Sequence, residues 1–510
     1  MSNNIETNSN KQITFGAILS YVSIAVNILA GLIYTPWMIT TIGKSDYSLF
    51  TLAHSLITMF LVDFGLSSAT GRFVSVYRAK GEEHKINQFL GAVYKLYILV
   101  DFIIMIILTV IFFRISSIYI KLSPDEIYRL KIVFVIAAAY SLISFPFVNL
   151  NGILTAYEKF VYIKLGDLIY RFLIVGLMVI ALLNGFGLYA IVIVNAVAGL
   201  SIITYKLYII KRQTSIKVDF SYKDKSLVKQ IFGFSVWVTV NALAQRLIFN
   251  ITPSILGIVA STDAIAVFGI VITIEGYVYM LTSAVGGMFM PKVSRIDIEK
   301  DSNKKVTDLL IKVGRFQYGL TGLIISGFFV VGYSFIKLWM GEDYIDAYTG
   351  ILLVLIPGVF FNSLEIANTT LVVRNKVRIQ SIIAIVVGVI NVILSFLLSS
   401  KYGVIGASVS IFIAYMIRVV LNVYIDWKVL HLDMKRFVKD CYLKMLPPIL
   451  ITCLLGYAIN SVLNTNSWIM LMAVGLAVCM IYTLSVAFVS LSKNERKSLF
   501  SLAKSIMKKQ

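Results

Sequence analysis

The chain has 510 residues, 58% of them hydrophobic and only 14% charged, with a formal net charge of +20. A soluble protein of this size cannot bury so much apolar surface, whereas a bundle of membrane helices has no need to. The charge would suit nucleic acid, but the lysines and arginines fall in short connections between apolar runs, which excludes that partner and makes them topology signals.

Residues 1–12 are polar and lack the charged-then-apolar pattern of a cleaved leader, so the first span is expected to be retained. Apolar runs follow at 13–40, 47–71, 88–113, 132–155, 164–183, 187–210, 231–259, 264–290, 311–338, 348–373, 379–400, 404–425, 445–463 and 467–491. Each is long enough for a bilayer core of about 30 Å, and helix is the default because every backbone group must be satisfied within the segment. The expectation is an all-α membrane protein with about 14 transmembrane helices. Basic residues concentrate in alternate connections, among them Arg72 to Lys85, Lys206 to Lys229, Lys292 to Lys312 and Lys428 to Lys444, and in the tail from Lys493. The positive-inside rule places these connections and both termini in the cytoplasm. Trp37, Trp237, Trp339, Trp427 and Trp468 all fall at run ends, where an amphipathic ring prefers to sit. No connection is long enough to form a soluble domain. Cys441, Cys453 and Cys479 have neither metal nor disulfide spacing.

The chain also repeats. A shift of 217 lays Phe15-Gly16 on Phe232-Gly233, Thr35-Pro36 on Thr252-Pro253, Asp46 on Asp263, Asn151 on Asn368 and Lys159 on Lys376. A one-residue slip then aligns Gly187 with Gly403. Six spans return the chain to its starting side, so the halves are expected to be parallel, related by a pseudo-two-fold along the membrane normal. The expected organisation is a cytoplasmic N-terminus (1–12), a first six-helix bundle (13–210), a basic linker (211–230), a second bundle (231–425), a cytoplasmic loop (426–444), two extra helices (445–491) and a basic tail (492–510).

Charge inside the bilayer is costly and marks function or pairing. Arg246 stands in the seventh run beside Asn241, Gln245 and Asn250, a polar stripe that Pro253 interrupts, and a lumen lining is expected there. Glu275 lies in the next run at a matching distance from the turn at Ser261, so that a pair with Arg246 would sit about 21–23 Å from that turn. Their counterparts in the first half are Leu29 and Thr58. In the tenth run, Asn362, Glu365, Asn368 and Thr369 recur on one face, again suiting a cavity. Asp63 and Lys95 suit an ion pair at similar depth, and Asp167 and Arg171, one turn apart, suit mutual neutralisation. Asp101 is a candidate proton-binding carboxylate, and His54 reads as a packing residue. No phosphate loop, metal spacing or nucleophile motif is present, so an enzyme is not expected.

Two six-helix halves, an opening span ending in Pro36 and Gly43, the segment Asp63-Phe64-Gly65-Leu66 followed by Arg72, and Gly286-Gly287-Met288-Phe289-Met290-Pro291-Lys292-Val293-Ser294 after the eighth span resemble the bacterial polysaccharide (O-antigen) flippases. So does Asn375-Lys376. These belong to the superfamily of multidrug, oligosaccharidyl-lipid and polysaccharide exporters. The acidic residue that many relatives carry in the seventh span is absent near Asn250 to Thr252. The resemblance implies translocation of undecaprenyl-pyrophosphate-linked oligosaccharide from the cytoplasmic to the outer leaflet by alternating access, for surface polysaccharide or capsule assembly. The headgroup would meet Arg246, Asn241, Gln245, Asn250, Asn362 and Asn368. Pro36, Pro253 and Arg72 would serve as hinge or gate. No cofactor is implied beyond a coupling proton or sodium ion at Glu275, Glu365 or Asp101. The partners implied are the lipid-linked oligosaccharide, membrane lipid, and a polysaccharide polymerase or glycosyltransferases. The alternatives are an ion-coupled multidrug/cation antiporter of the same superfamily and, from another class, a membrane-embedded glycan polymerase or glycosyltransferase.

Overall fold

A computed structural model describes residues 2–222, 236–237, 239–286, 289–463 and 465–491. The basic tail from 492, most of the linker beyond 222, and Gly287-Met288 of the segment after the eighth span lie outside the described residues. The described residues are helical, without strands. In chain order the helices are α1 (Ser2–Ile42), α2 (Lys44–Phe60), α3 (Leu66–Ala79), α4 (Glu83–Ile118), α5 (Pro124–Ser144), α6 (Leu150–Ala156), α7 (Phe160–Leu183), α8 (Leu188–Gln213), α9 (239–246), α10 (Thr252–Val259), α11 (Thr262–Gly286), α12 (Met290–Asp297), α13 (Ser302–Met340), α14 (Asp346–Asn362), α15 (Glu365–Val373), α16 (Val377–Lys428), α17 (Met434–Phe437), α18 (Lys444–Val462) and α19 (Trp468–Ser485).

Eleven of the helical segments among the described residues are long and apolar enough to cross a membrane. The difference from fourteen apolar runs has local causes. The run 47–71 divides into α2 and α3, and 231–259 divides into α9 and α10, so neither forms one long helix. The runs 379–400 and 404–425 join in α16, whose 52 residues would measure about 78 Å if straight, far beyond a bilayer core. Gly403 breaks it, with φ 52° and ψ −126°, a conformation open to glycine alone. The outer faces suit lipid: on α4, Leu99, Phe102, Ile106, Val110 and Phe113 are all exposed. Water would not tolerate such a stripe, whereas hydrocarbon does not penalise it. The chain is a multi-pass membrane protein.

The molecule divides into two compact units, one of residues 1–269 with 384–407, the other of 270–383 with 408–510. In the first, α7 packs on α1 and α8, α5 on α2, and α6 on α3. Backbones approach closely where side chains are small: a Cβ on Gly152 of α6 would come within 2.4 Å of the Ser67 carbonyl oxygen on α3. In the second, α13 is the central element, packed against α14, α15, α18 and α19.

One feature of the repeat is repeated in backbone geometry. α6 ends with Glu158 in the left-handed conformation (φ 57°), and α15 ends with Asn375 in the same state (φ 55°), 217 residues on. Lys159 N–H donates to the Leu154 carbonyl at 2.9 Å, and Lys376 N–H to that of Leu371 at 2.7 Å. Glu158 and Asn375 N–H donate likewise to Thr155 and Val372. This double closure satisfies the last carbonyls of each helix, and the next helix begins at Phe160 and at Val377.

Candidate functional site

The first unit contains two adjacent helix breaks. α2 stops at Phe60, and Phe64 (φ 53°) and Gly65 (φ 66°) turn the chain in the left-handed region before α3. Asp63 holds this turn, its Oδ1 accepting from Gly65 N–H at 2.9 Å. The second break follows Arg246, where residues 247–250 form turns before α10. Pro253 has no N–H to donate and seats at the first turn of α10, where none is needed.

Broken helices survive in a membrane only if the freed backbone groups find partners. Here side chains supply them. Arg246 Nη2 donates to the Leu61 carbonyl at 2.8 Å, placing a cation at the C-terminal end of α2, where the helix dipole favours it. Asn391 Nδ2 donates to the carbonyls of Leu247 and Ile248, at 3.1 and 3.2 Å. Asn250 bridges back to α2: its Nδ2 donates to Thr58 Oγ1 at 3.1 Å, and its carbonyl accepts from Ser55 Oγ. Ser55 also meets Ser254 Oγ at 3.2 Å.

Beside these breaks lies a cavity of about 350 Å³, lined by Leu61, Val62, Asp63, Ser141, Ser144, Phe145, Val148, Ala242 and Arg246. That volume is in the range of small-molecule sites. Arg246 is its cationic group and Asp63 its acidic one, the carboxylate whose charge bears on the guanidinium. Asn241 sits on α9, its Oδ1 buried without a partner among the described residues, and Gln245 immediately precedes Arg246.

Two expected pairings resolve differently. The Asp63–Lys95 ion pair is not made: Asp63 serves its own turn, and Lys95 Nζ donates to the Tyr222 carbonyl at 2.9 Å. Asp167 pairs with Lys164 at 3.4 Å rather than with Arg171, whose Nη2 donates to the Asn27 carbonyl at 3.0 Å. In each case a backbone carbonyl satisfies a cation as well as a carboxylate would, at lower desolvation cost. Asp101 lies on α4 with a buried Oδ1 that has no partner among the described residues. His54 stacks on Phe50, ring centroids 6.1 Å apart. Pro36 lies within α1, and the Arg72 guanidinium sits 5.9 Å from the Phe73 ring centre.

The second unit has its own polar centre. Glu275 on α11 and Glu365 at the start of α15 both bear electrostatically on the Tyr279 hydroxyl, as does Arg418. Asn362 closes α14, and Asn368 on α15 accepts from Gln380 Nε2 at 3.0 Å. Arg418 escapes the sequence reading. It is 2% exposed and lies over the rings of Phe361 at 4.5 Å and Tyr415 at 5.6 Å. The available signal was a lone arginine in the run 404–425, followed at four-residue intervals by Asn422 and Asp426. Among the described residues, no three His, Cys, Asp or Glu side chains gather as a metal site.

Long helices with apolar outer faces, broken where polar side chains gather, define a multi-pass, all-helical membrane protein. The chain belongs to the polysaccharide biosynthesis protein family, whose model matches residues 13–296. It is 25% identical over 395 residues to a putative O-antigen transporter of Shigella flexneri, covering 75% of this chain and 88% of that protein. Its fold is similar to that of the lipid II flippase MurJ in an inward closed conformation, with a TM-score of 0.69 at 16% identity over 93% of this chain and 98% of MurJ. It is also similar to an inward-facing multidrug resistance transporter of the MATE family, with a TM-score of 0.66 at 12% identity over 83% and 99% of the two chains.

Proposed function

We propose that the protein is a flippase moving undecaprenyl-pyrophosphate-linked oligosaccharide from the cytoplasmic to the outer leaflet of a bacterial inner membrane, with both termini cytoplasmic. The observation that carries this reading is Arg246 on the wall of a cavity also lined by Ser141 and Ser144. A diphosphate–sugar headgroup needs such a mixture. A guanidinium has five N–H donors, so one bond to Leu61 leaves others for phosphate oxygens, and hydroxyls suit sugars. The names of the Shigella flexneri relative and of MurJ support the same substrate class. An antiporter of organic cations would favour a wall without a fixed cation, which Arg246 opposes. A proton or sodium ion drives the cycle, with Glu275 and Glu365 the candidate carriers in the second unit, and the polymerase and glycosyltransferases of the same glycan are the expected partners.

The test is reconstitution. Vesicles holding the purified protein and undecaprenyl-pyrophosphate-linked oligosaccharide should expose inner-leaflet glycan to an external glycosidase, and empty vesicles should not. Equal exposure in both, or efflux of organic cations without glycan movement, would remove the flippase reading.

A further inference from the structure

The face of α16 that carries Arg418 continues through Asn422 to Asp426, each one helical turn on. Asp426 is 1% exposed and Asn422 2%. Both carboxylate oxygens of Asp426 and the Nδ2 of Asn422 are buried without a hydrogen-bond partner among the described residues. We propose that Asp426, with Asn422 one turn away, is a buried proton-binding site of the second unit, protonated in this conformation and discharging its proton when water reaches it.

The argument is electrostatic and geometric. A buried carboxylate lacking both a cation and donors would be strongly destabilised, and such a group takes up a proton instead. Asp426 also stands in the last turn of α16, which ends at Lys428, so the negative end of the helix dipole opposes its ionisation further.

The surrounding charged groups are committed elsewhere. On its own helix, Arg418 lies over Phe361 and Tyr415, and Lys428 Nζ donates to the Tyr424 hydroxyl at 3.1 Å. From α15, Arg374 is held by Asp297, Asn303 and the Leu430 carbonyl, each at 2.8 Å. From α13, Arg315 donates to the Ser490 carbonyl at 2.6 Å, and on α17 Arg436 pairs with Asp308 at 2.7 Å. The segment Val438–Leu443 carries the titratable Lys439, Asp440, Cys441 and Tyr442, of which Asp440 pairs with Lys444 at 2.6 Å and with Arg436 at 3.6 Å. Tyr442 lies within electrostatic reach of Asp426, but its hydroxyl donates to the Phe360 carbonyl at 2.9 Å, and Tyr318 packs on its ring. Neutralisation of Asp426 therefore falls to a proton.

The coupling of this proton to transport rests on the flippase reading; the protonation does not. Infrared spectra of the purified full-length protein at neutral pH would read the carbonyl stretch of a protonated carboxyl directly. Asp426→Asn, the neutral isostere, should lose that band while melting at the wild-type temperature, and in the vesicle assay it should lose the pH dependence of glycan translocation. Asp426→Leu provides a second neutral variant should the amide disturb the fold. An unchanged infrared band in both variants, or wild-type pH dependence of translocation, would overturn the proposal. Vesicles in which even the wild type moves no glycan would count against the flippase reading and leave the infrared result standing.

Discussion

The guanidinium of Arg246 reaches the carbonyl oxygen of Leu61 at 2.8 Å, so the charge that ends one helix caps the broken end of another. The arginine thus satisfies a backbone group that α2 leaves open, and it presents a cation to the adjacent cavity. We predict that Arg246→Leu lowers stability by about 1 kcal/mol, the cost of losing the donor to a half-buried acceptor. Arg246→Lys, which keeps a donor within reach of Leu61, should lose less. Thermal unfolding in detergent measures both, and equal melting temperatures for wild type and Arg246→Leu would show that Leu61 needs no donor.

Asn391 supports the same region from a distant part of the chain, donating to Leu247 and Ile248 where the seventh run opens. Asn391→Ala should cost about 1–3 kcal/mol, since two carbonyls lose their donor together. The loss should be cooperative with Arg246→Leu, because both substitutions loosen one break. Strict additivity in a double-mutant cycle would count against that coupling.

Gly403 and Gly187 align in the repeat, yet only Gly403 has a positive φ, 52° against −96° at Gly187. A Cβ at either position meets nothing within 4 Å, so sterics with neighbours play no part. Gly403→Ala should destabilise by about 1–3 kcal/mol through backbone strain alone, whereas Gly187→Ala should be near neutral. Similar melting temperatures for the two variants would refute this account of the kink.

Much of this was legible in the sequence, and the limits have physical reasons. The apolar runs and their polar exceptions revealed a membrane bundle and singled out Arg246, because an uncompensated charge in hydrocarbon always has a reason. The repeat was visible in Lys159 and Lys376, which follow the left-handed residues Glu158 and Asn375. The partners were not legible. Leu61, Tyr222 and Asn27 engage Arg246, Lys95 and Arg171 through backbone carbonyls, and every residue carries a carbonyl, so side-chain identity cannot point to them. Opposite charges at similar depth therefore suggest ion pairs where the cations instead donate to carbonyls. The break at 61–65 hid within one apolar run because Asp63-Phe64-Gly65 reads as a charge and a glycine rather than as the turn they form. Arg418 stood as plainly in its run as Arg246 did, but its aromatic neighbours come from α14 and from its own helix, which only the fold makes evident.

Orientation yields a prediction free of the site. With Cys441, Cys453 and Cys479 replaced, a single cysteine at Lys217 or at Lys493 should resist a membrane-impermeant thiol reagent in intact cells. A cysteine at Lys121, in the connection between α4 and α5, should label. Reversal at any of the three would overturn the cytoplasmic assignment of the basic connections.

The central claim is that Arg246 grips the diphosphate of the lipid-linked glycan, and its most direct measurement is complementation of a flippase-null strain by Arg246→Lys, scoring surface polysaccharide alongside protein abundance. Lysine keeps the charge but lacks the planar fork that holds two phosphate oxygens at once. The expected result is normal abundance with strongly impaired surface glycan, lipid-linked units accumulating on the cytoplasmic face. Full surface glycan from both Arg246→Lys and Arg246→Gln, at wild-type abundance, would contradict it.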